Sequence, residues 1–209
     1  MQEDRREQAQ AAPLPVSPLP LSLPLPLPLF NSAPHEVASA LLLRCCGSTS
    51  WAARIADFRP YPDTESLLAA LDEASYDMTP EDMAEALASE SPRLPVPWDG
   101  GEADATSATA PGGRPAAGDR GTHAPAASDR DRRQVLAAHT ALRAAHAAYE
   151  NRFGHAFLIC LDDWAPGEQL GQALADVRAR LGNDPDEERP IVADELRRLA
   201  RGRLLRSLR

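Results

Sequence analysis

Apolar residues recur at helical spacing through most of the chain, and residues that favour helix ends separate the segments. The pattern is clearest at Leu170, Leu174, Val177 and Leu181, which follow one another at steps of four, three and four residues and so share one helix face. Other segments begin after a side chain that can accept a hydrogen bond from the first turn, or end at a glycine. The predicted starts are Ser32, Ser48, Asp63, Thr79, Ser128 or a neighbouring aspartate, and Asp184, and the predicted stops are Gly47, Gly154 and Gly182.

Two prolines act differently in these predicted helices. Pro80 lies between Thr79 and Asp82, which is the order expected of a cap, a first-turn proline and a first-turn acid. Pro190 comes after Pro185, which opens the last predicted helix. Because proline lacks a backbone N–H group, we expect Pro190 to delay or kink that helix.

One segment, residues 155–161 with the sequence HAFLICL, has the apolar run of a strand. It has no obvious partner strand, because helical patterns flank it on both sides. We therefore predict a buried extended connector at this position. The chain as a whole predicts an all-α fold, a single-domain helical bundle of about six to eight helices with this one short extended connector.

Two segments of low complexity lie outside the helical pattern. Residues 1–28 begin polar and continue with proline at nearly every second position, which prevents a membrane-spanning helix and favours a disordered, polyproline-II-like tail. Residues 95–128 are rich in Ala, Gly and Pro and predict a flexible loop. The predicted helical domain is therefore 29–209, interrupted by this loop.

The net charge of −9 and the absence of lysine narrow the function. All 22 basic residues are arginine, so chemistry that needs an ε-amine is excluded, including Schiff-base and pyridoxal enzymes and the Gly-Lys-Ser/Thr phosphate loop. An acidic chain without a basic, aromatic-rich patch does not favour nucleic acid as a partner. A membrane partner is not expected either, since the apolar tail is broken by proline.

Three cysteines and five histidines give no recognisable metal site. Cys45 and Cys46 are adjacent and Cys160 is distant, which suits neither a disulfide framework nor a zinc site. The pair is typical of small buried hydrophobes at the end of a helix. His139 and His146 share a helix face two turns apart, which favours partly buried or solvated side chains. The sequence predicts no metal and no cofactor.

Six segments carry a more specific pattern, and three blocks in them are distinctive: Cys-Cys-Gly-Ser-x-x-Trp, Tyr-Glu-x-x-Phe-Gly-x-x-Phe-x-x-Cys and Leu-x-Asn-Asp-Pro. In order and spacing, the chain resembles the 2-oxo-4-hydroxy-4-carboxy-5-ureidoimidazoline (OHCU) decarboxylase family over nearly the whole predicted helical part. The segments are FNSAP (30–34), LLLRCCGSTSWAARI (41–55), RPYPDTESLLAALDEA (59–74), DMAEALASESPRL (82–94), AAYENRFGHAFLIC (147–160) and RLGNDPDEERPIVADELRRLARGRL (180–204).

The resemblance implies a cofactor-free helical enzyme of the ureide branch of purine catabolism, usually a homodimer. Such an enzyme removes the C4 carboxylate of OHCU, a small anionic ureide, and protonates the resulting carbanion to give (S)-allantoin and CO2. Because the ring carbonyl and imine of the substrate delocalise the charge, the protein needs only to orient the carboxylate, stabilise the anion and supply a proton. A cytoplasmic location is expected, since no targeting signal is legible.

The resemblance also implies particular site residues. Arg203, in the last predicted helix, takes the position of a pocket arginine in the family. The main chain of the predicted connector takes the position of a segment that binds substrate. The connector residues concerned are Phe157, Leu158, Ile159, Cys160 and Leu161.

One family motif is altered in this chain. The family's His-Pro-Arg-Ile-Gly motif, whose histidine is the acid/base group, corresponds to the letters ESPRLP, where Pro92 and Arg93 match and Ser91 replaces the histidine after Glu90. A Glu-Gln pair, which supplies a second carboxylate and a substrate-binding amide in the family, is also missing, and Gln134 is the nearest candidate. Serine cannot replace imidazole as a base near neutral pH.

Three hypotheses follow from these residues. In the first, the chain is a divergent decarboxylase in which Glu90, or His123 from the predicted loop, supplies the acid/base group beside Arg203. In the second, the same pocket binds a related ureide or catalyses a different step. In the third, the chain is a non-catalytic helical dimer or partner-binding module. The first is the main prediction.

Overall fold

The computed structural model describes residues 25–90 and 129–209, and every regular element in these residues is a helix. The predicted all-α, single-domain fold is therefore confirmed. The predicted tail up to residue 24 and the predicted loop lie outside the described residues, as do Ser91, Pro92, Arg93, His123 and Ser128. The helices are α1 (Leu27–Ser32), α2 (His35–Cys45), α3 (Thr49–Asp57), α4 (Thr64–Tyr76), α5 (Pro80–Ser89), α6 (Asp129–Phe153), α7 (Pro166–Arg180) and α8 (Pro185–Ser207).

Side-chain caps confirm most of the predicted helix starts. Ser48 accepts a hydrogen bond from the Trp51 N–H group at the start of α3, and Asp63 accepts one from Ser66 at the start of α4. Reciprocal capping boxes join Thr79 to Asp82 before α5, and Asp184 to Glu187 before α8. At the end of α6, Gly154 has a φ of +78°, a conformation that glycine adopts without strain.

The predicted cap at Ser32 is wrong, because the chain is already helical before this residue. Ser32 is the last residue of α1, and its hydroxyl donates back to the Pro28 carbonyl at 3.0 Å. α2 begins after Pro34 without a side-chain cap. The fold also includes residues 25–28, which the sequence assigned to the tail: the Leu25 N–H group donates to the Ser207 carbonyl at 2.7 Å.

The prediction that Pro190 delays the last helix is also wrong. α8 starts at Pro185 and continues through Pro190 to its end. The missing N–H group of Pro190 would have bonded the carbonyl of Asp186, which lies at the exposed start of the helix, where water can replace the lost hydrogen bond.

Two apolar clusters form the core, and the predicted connector passes between them. The first cluster combines side chains of α1 to α5 with α8, and the second combines α6 with α7. Residues 156–161 form neither helix nor strand, as expected of a connector. Leu158 packs into the first cluster, whereas Phe157 and Leu161 pack into the second. The connector therefore lies at the centre of the domain.

Candidate functional site

Arg203 forms a bidentate ion pair with Glu90, a residue far away in the sequence. The Nη1 and Nη2 groups of Arg203 donate to the two carboxylate oxygens of Glu90 at 2.5 and 2.8 Å. The Glu90 side chain is 8% exposed and that of Arg203 is 22% exposed. Hydrogen bonding to Glu90 raises the pKa of Arg203. The structure thus brings together two residues that the sequence named as catalytic, and their catalytic role stays a prediction.

One edge of the Arg203 guanidinium remains available. Besides its bond to Glu90, Nη1 donates to the Cys45 carbonyl at 2.9 Å. These bonds use both hydrogens of Nη1 and one of Nη2, so no described residue bonds the edge formed by Nε–H and the second Nη2 hydrogen. A guanidinium binds carboxylates through this edge as well as through its end.

The end of α2 and the end of α5 place these groups. Cys45 is the last residue of α2, and Glu90 follows the last residue of α5. Between them, a Cβ atom on Gly47 would lie 1.8 Å from the Ser89 hydroxyl oxygen. Only glycine allows the two chain segments to approach this closely. The Cys-Cys-Gly-Ser block therefore shapes the site through its backbone.

The two adjacent cysteines are buried, as the sequence predicted. Cys45 is 1% exposed and Cys46 is 2% exposed. Burial raises the pKa of both thiols to about 11, so they stay neutral near pH 7. A neutral, enclosed thiol is a weak nucleophile. The interpretation of the pair as small buried hydrophobes is confirmed.

A buried charged network fixes the connector from the side of α7. Arg180 donates to the Leu158 carbonyl at 2.7 Å and to Glu188 at 2.8 Å. Glu188 also accepts hydrogen bonds from the Tyr149 hydroxyl at 2.5 Å and the Asn183 amide at 2.7 Å. Burial alone would raise the pKa of Glu188, but these hydrogen bonds outweigh it and lower the pKa. None of these four side chains was predicted from the sequence to be part of a site.

α8 fixes the same connector from the other side. The Cys160 N–H group donates to the Glu195 carboxylate at 2.5 Å, and Glu195 is also paired with Arg198 at 3.0 Å. Where the connector ends, Arg206 bonds Asp162 at 2.9 Å. Glu195 was not predicted from the sequence either, because it lies 35 residues from Cys160 and no local pattern links the two.

The remaining candidate residues are placed as follows. Gln134 is exposed on α6, and its role as a substrate amide stays a prediction. The connector side chains are core residues, so the predicted substrate contacts depend on main-chain groups. Two of these groups, the Cys160 N–H and the Leu158 carbonyl, already have protein partners. The buried connector side chains are Phe157, Leu158, Cys160 and Leu161, and Ile159 is partly exposed.

The two histidines on α6 are buried rather than solvated, because this face of the helix meets the second apolar cluster. His139 and His146 are each 5% exposed, and the His146 ring packs against Phe157 with centroids 5.1 Å apart. Residues 25–90 and 129–209 contain no group of three or more His, Cys, Asp or Glu side chains that could hold a metal ion. None of the described helices is long and apolar enough to cross a membrane.

Fold and site together define a class: a single-domain helical protein with a partly buried, ion-paired arginine at its candidate site. A family model, OHCU decarboxylase, matches residues 31–205. The chain belongs to the OHCU decarboxylase family. Its candidate site contains the distinctive blocks noted in the sequence.

A solved structure supports the fold. The crystal structure of an (S)-allantoin synthase matches this chain with a TM-score of 0.54 at 13% sequence identity, covering 88% of this chain and 54% of that chain. At this identity the likeness concerns the fold alone, and the chain spans about half the length of that structure. No curated protein matches the chain. The family model and the solved structure therefore agree on the helical fold.

Proposed function

We propose that the chain is a cofactor-independent decarboxylase that converts OHCU to (S)-allantoin and CO2. The observation that carries the proposal is the geometry of Arg203, which is partly buried, paired with Glu90, and open along its Nε–Nη2 edge. This edge suits the carboxylate of a small anionic ureide. Family membership supplies the substrate class.

Arg203 and Glu90 have separate roles in this proposal. Arg203 binds the substrate carboxylate and orients the bond that breaks. As CO2 leaves, the electron pair of that bond passes into the ring carbonyl and imine system of the substrate. Glu90 takes up the proton of the substrate hydroxyl, which becomes a carbonyl, and returns it to the neighbouring ring carbon, while the imine nitrogen takes a proton from water. The net change replaces a carboxylate with a proton, with release of CO2.

The internal carboxylates favour a second candidate function, binding without decarboxylation. Glu90 already occupies one end of Arg203, and Glu195 occupies the Cys160 N–H group on the connector. Both positions are ones where an anionic substrate would otherwise bind. A ligand that needs only the remaining edge of Arg203, such as a related ureide, fits this arrangement.

A coupled assay tests the proposal directly. Urate oxidase and hydroxyisourate hydrolase generate OHCU in solution, and circular dichroism follows chiral allantoin after this protein is added. We expect faster appearance of (S)-allantoin than in the spontaneous reaction. No acceleration at protein concentrations equal to the substrate would refute decarboxylation.

Two substitutions on α8 test the site. Arg203→Ala should lower the rate by about a hundredfold, since it removes the anion-binding group. Arg206→Ala is the control, because Arg206 lies on the same helix but bonds only the exposed Asp162. Full activity in Arg203→Ala would refute the site assignment, provided that near-ultraviolet circular dichroism shows both variants folded.

Thermal shifts separate the two candidate functions. A bound ligand raises the melting temperature in proportion to its affinity for the native state. A shift with allantoin or urate that Arg203→Ala abolishes, without any decarboxylation, would favour the binding function. The homodimer implied by the resemblance and the cytoplasmic location expected from the sequence stay predictions, and analytical ultracentrifugation checks the first.

A further inference from the structure

A second cavity lies away from the candidate site, between α5, the end of α6 and the start of α8. Its volume is about 700 Å³, within the range of small-molecule sites. Neither Arg203, Glu90 nor any residue from 156 to 161 lines it. The cavity therefore has no part in the proposed decarboxylation.

The walls of this cavity are mainly apolar. Met78 and Met83 line it on one side and Phe153 and Val192 on the other. The chain has three methionines, Met1 and these two. Methionine side chains adapt to irregular ligands because they are unbranched and polarizable. Such walls suit a flat or flexible apolar group.

Among the charged side chains that line the cavity, two are arginines and one is a glutamate. Arg152 donates to the Asn183 carbonyl at 2.7 Å and has no carboxylate partner among the described residues. Arg189 pairs only with Asp186, and both side chains are largely exposed, so this pair screens little of its charge. The one acid in the lining, Glu188, is neutralised by Arg180 at 2.6 Å. Arg152 is therefore the positive group of the lining that can pair with the acid group of an anion.

We propose that this cavity binds a small organic anion with an apolar body, such as an aryl or medium-chain acyl carboxylate or sulfonate. The apolar body lies between α5 and α8, where burial of its surface drives binding. The acid group lies at the Arg152 guanidinium. This site is independent of the proposed activity.

The probe for this site is 1-anilinonaphthalene-8-sulfonate, which combines an aromatic body with a sulfonate. Fluorescence titration of the full chain should show saturable binding with one site per chain. Octanoate should displace the probe, and octanol should do so about three- to tenfold less well, because it lacks the charge. Absence of saturable binding, or equal displacement by both compounds, would overturn the proposal.

Matched variants locate the site. Ala84→Trp fills the cavity from an exposed position of α5 and should abolish probe binding, whereas Ala88→Trp, one turn further and outside the lining, should not. Arg152→Gln should weaken binding about three- to tenfold, and Arg178→Gln, an exposed arginine of α7, should leave it unchanged. Probe binding that survives Ala84→Trp would overturn the proposal, as would an unchanged affinity in Arg152→Gln.

One further measurement addresses a competing occupant. A second copy of the chain could cover the same apolar walls. Probe titrations at increasing protein concentration, combined with analytical ultracentrifugation, distinguish the two cases. We expect the number of probe sites per chain to stay constant. Loss of these sites in step with dimer formation would overturn the proposal.

Discussion

Replacing Arg180 with methionine should destabilise the domain more than any surface substitution. The change leaves the carboxylate of Glu188, which is 1% exposed, without its cation, and it leaves the Leu158 carbonyl without its donor. Removing one partner of a buried ion pair costs about 3–5 kcal/mol, because the other charge remains buried. We therefore expect a loss of about 4 kcal/mol in the free energy of unfolding.

Urea denaturation of the variants measures this loss, with the transition midpoint falling and the m-value unchanged. Glu188→Leu and the double variant Arg180→Met/Glu188→Leu complete a thermodynamic cycle. The loss in free energy of unfolding should be at least about 2 kcal/mol smaller in the double variant than the sum of the losses in the two single variants, because the double variant leaves neither charge buried alone. Arg189→Met is the control, since its pair with Asp186 is exposed, and should change stability by less than about 0.5 kcal/mol.

Two results would contradict this reasoning. A cost below about 1 kcal/mol for Arg180→Met would mean that solvent reaches Glu188 easily and that the network is not buried in solution. Additive effects of the two single substitutions would mean that Arg180 and Glu188 do not interact energetically.

Three other substitutions or treatments give distinct outcomes. Gly47→Ala should lower the free energy of unfolding, measured in urea, by about 1–3 kcal/mol, because the new Cβ atom would overlap Ser89. Gly171→Ala is the control: no atom lies within 4 Å of the new Cβ, so the change should be neutral or slightly stabilising. Burial lowers the pKa of His146 below 6.5, an effect that Glu150 partly opposes. As the pH drops below 6.5, the unfolded chain therefore binds the proton before the folded chain does, and the free energy of unfolding should fall. Urea midpoints from pH 8 to 5 should fall less steeply in His146→Leu, and an identical slope would contradict this assignment. The three buried thiols should react slowly with Ellman's reagent at pH 8 in the folded protein and rapidly in urea, and equal rates in both would contradict their burial.

Local chemistry explains which helix starts were predictable. A cap such as Ser48 and a capping box such as Thr79 with Asp82 act within three residues, so that the sequence alone contains all of the interacting groups. Ser32 has the same side chain as Ser48, but Phe30 of α1 packs into the core, and α1 extends to Ser32. Tertiary packing overrides the local signal there.

The charged network and the Arg203 pair could not be derived from spacing. Arginine and glutamate are usually exposed, so the sequence alone assigns Arg180 and Glu188 to the surface. Both lie in a stretch that resembles the family, and the resemblance located this stretch without revealing its hydrogen bonds. Glu90 was a candidate because of its place beside Ser91, whereas its contact with Arg203 depends on how α5 and α8 pack.

The two ends of the described fold meet, since the Leu25 N–H group bonds the Ser207 carbonyl. A fluorescent donor attached just before Leu25 and an acceptor attached after Leu208 would therefore sit side by side in the native state. If the contact between Leu25 and Ser207 opened, even with the rest of the domain intact, the dyes would separate and energy transfer between them would fall. The same proximity means that a partner fused directly before Leu25 would be a neighbour of one fused after Leu208.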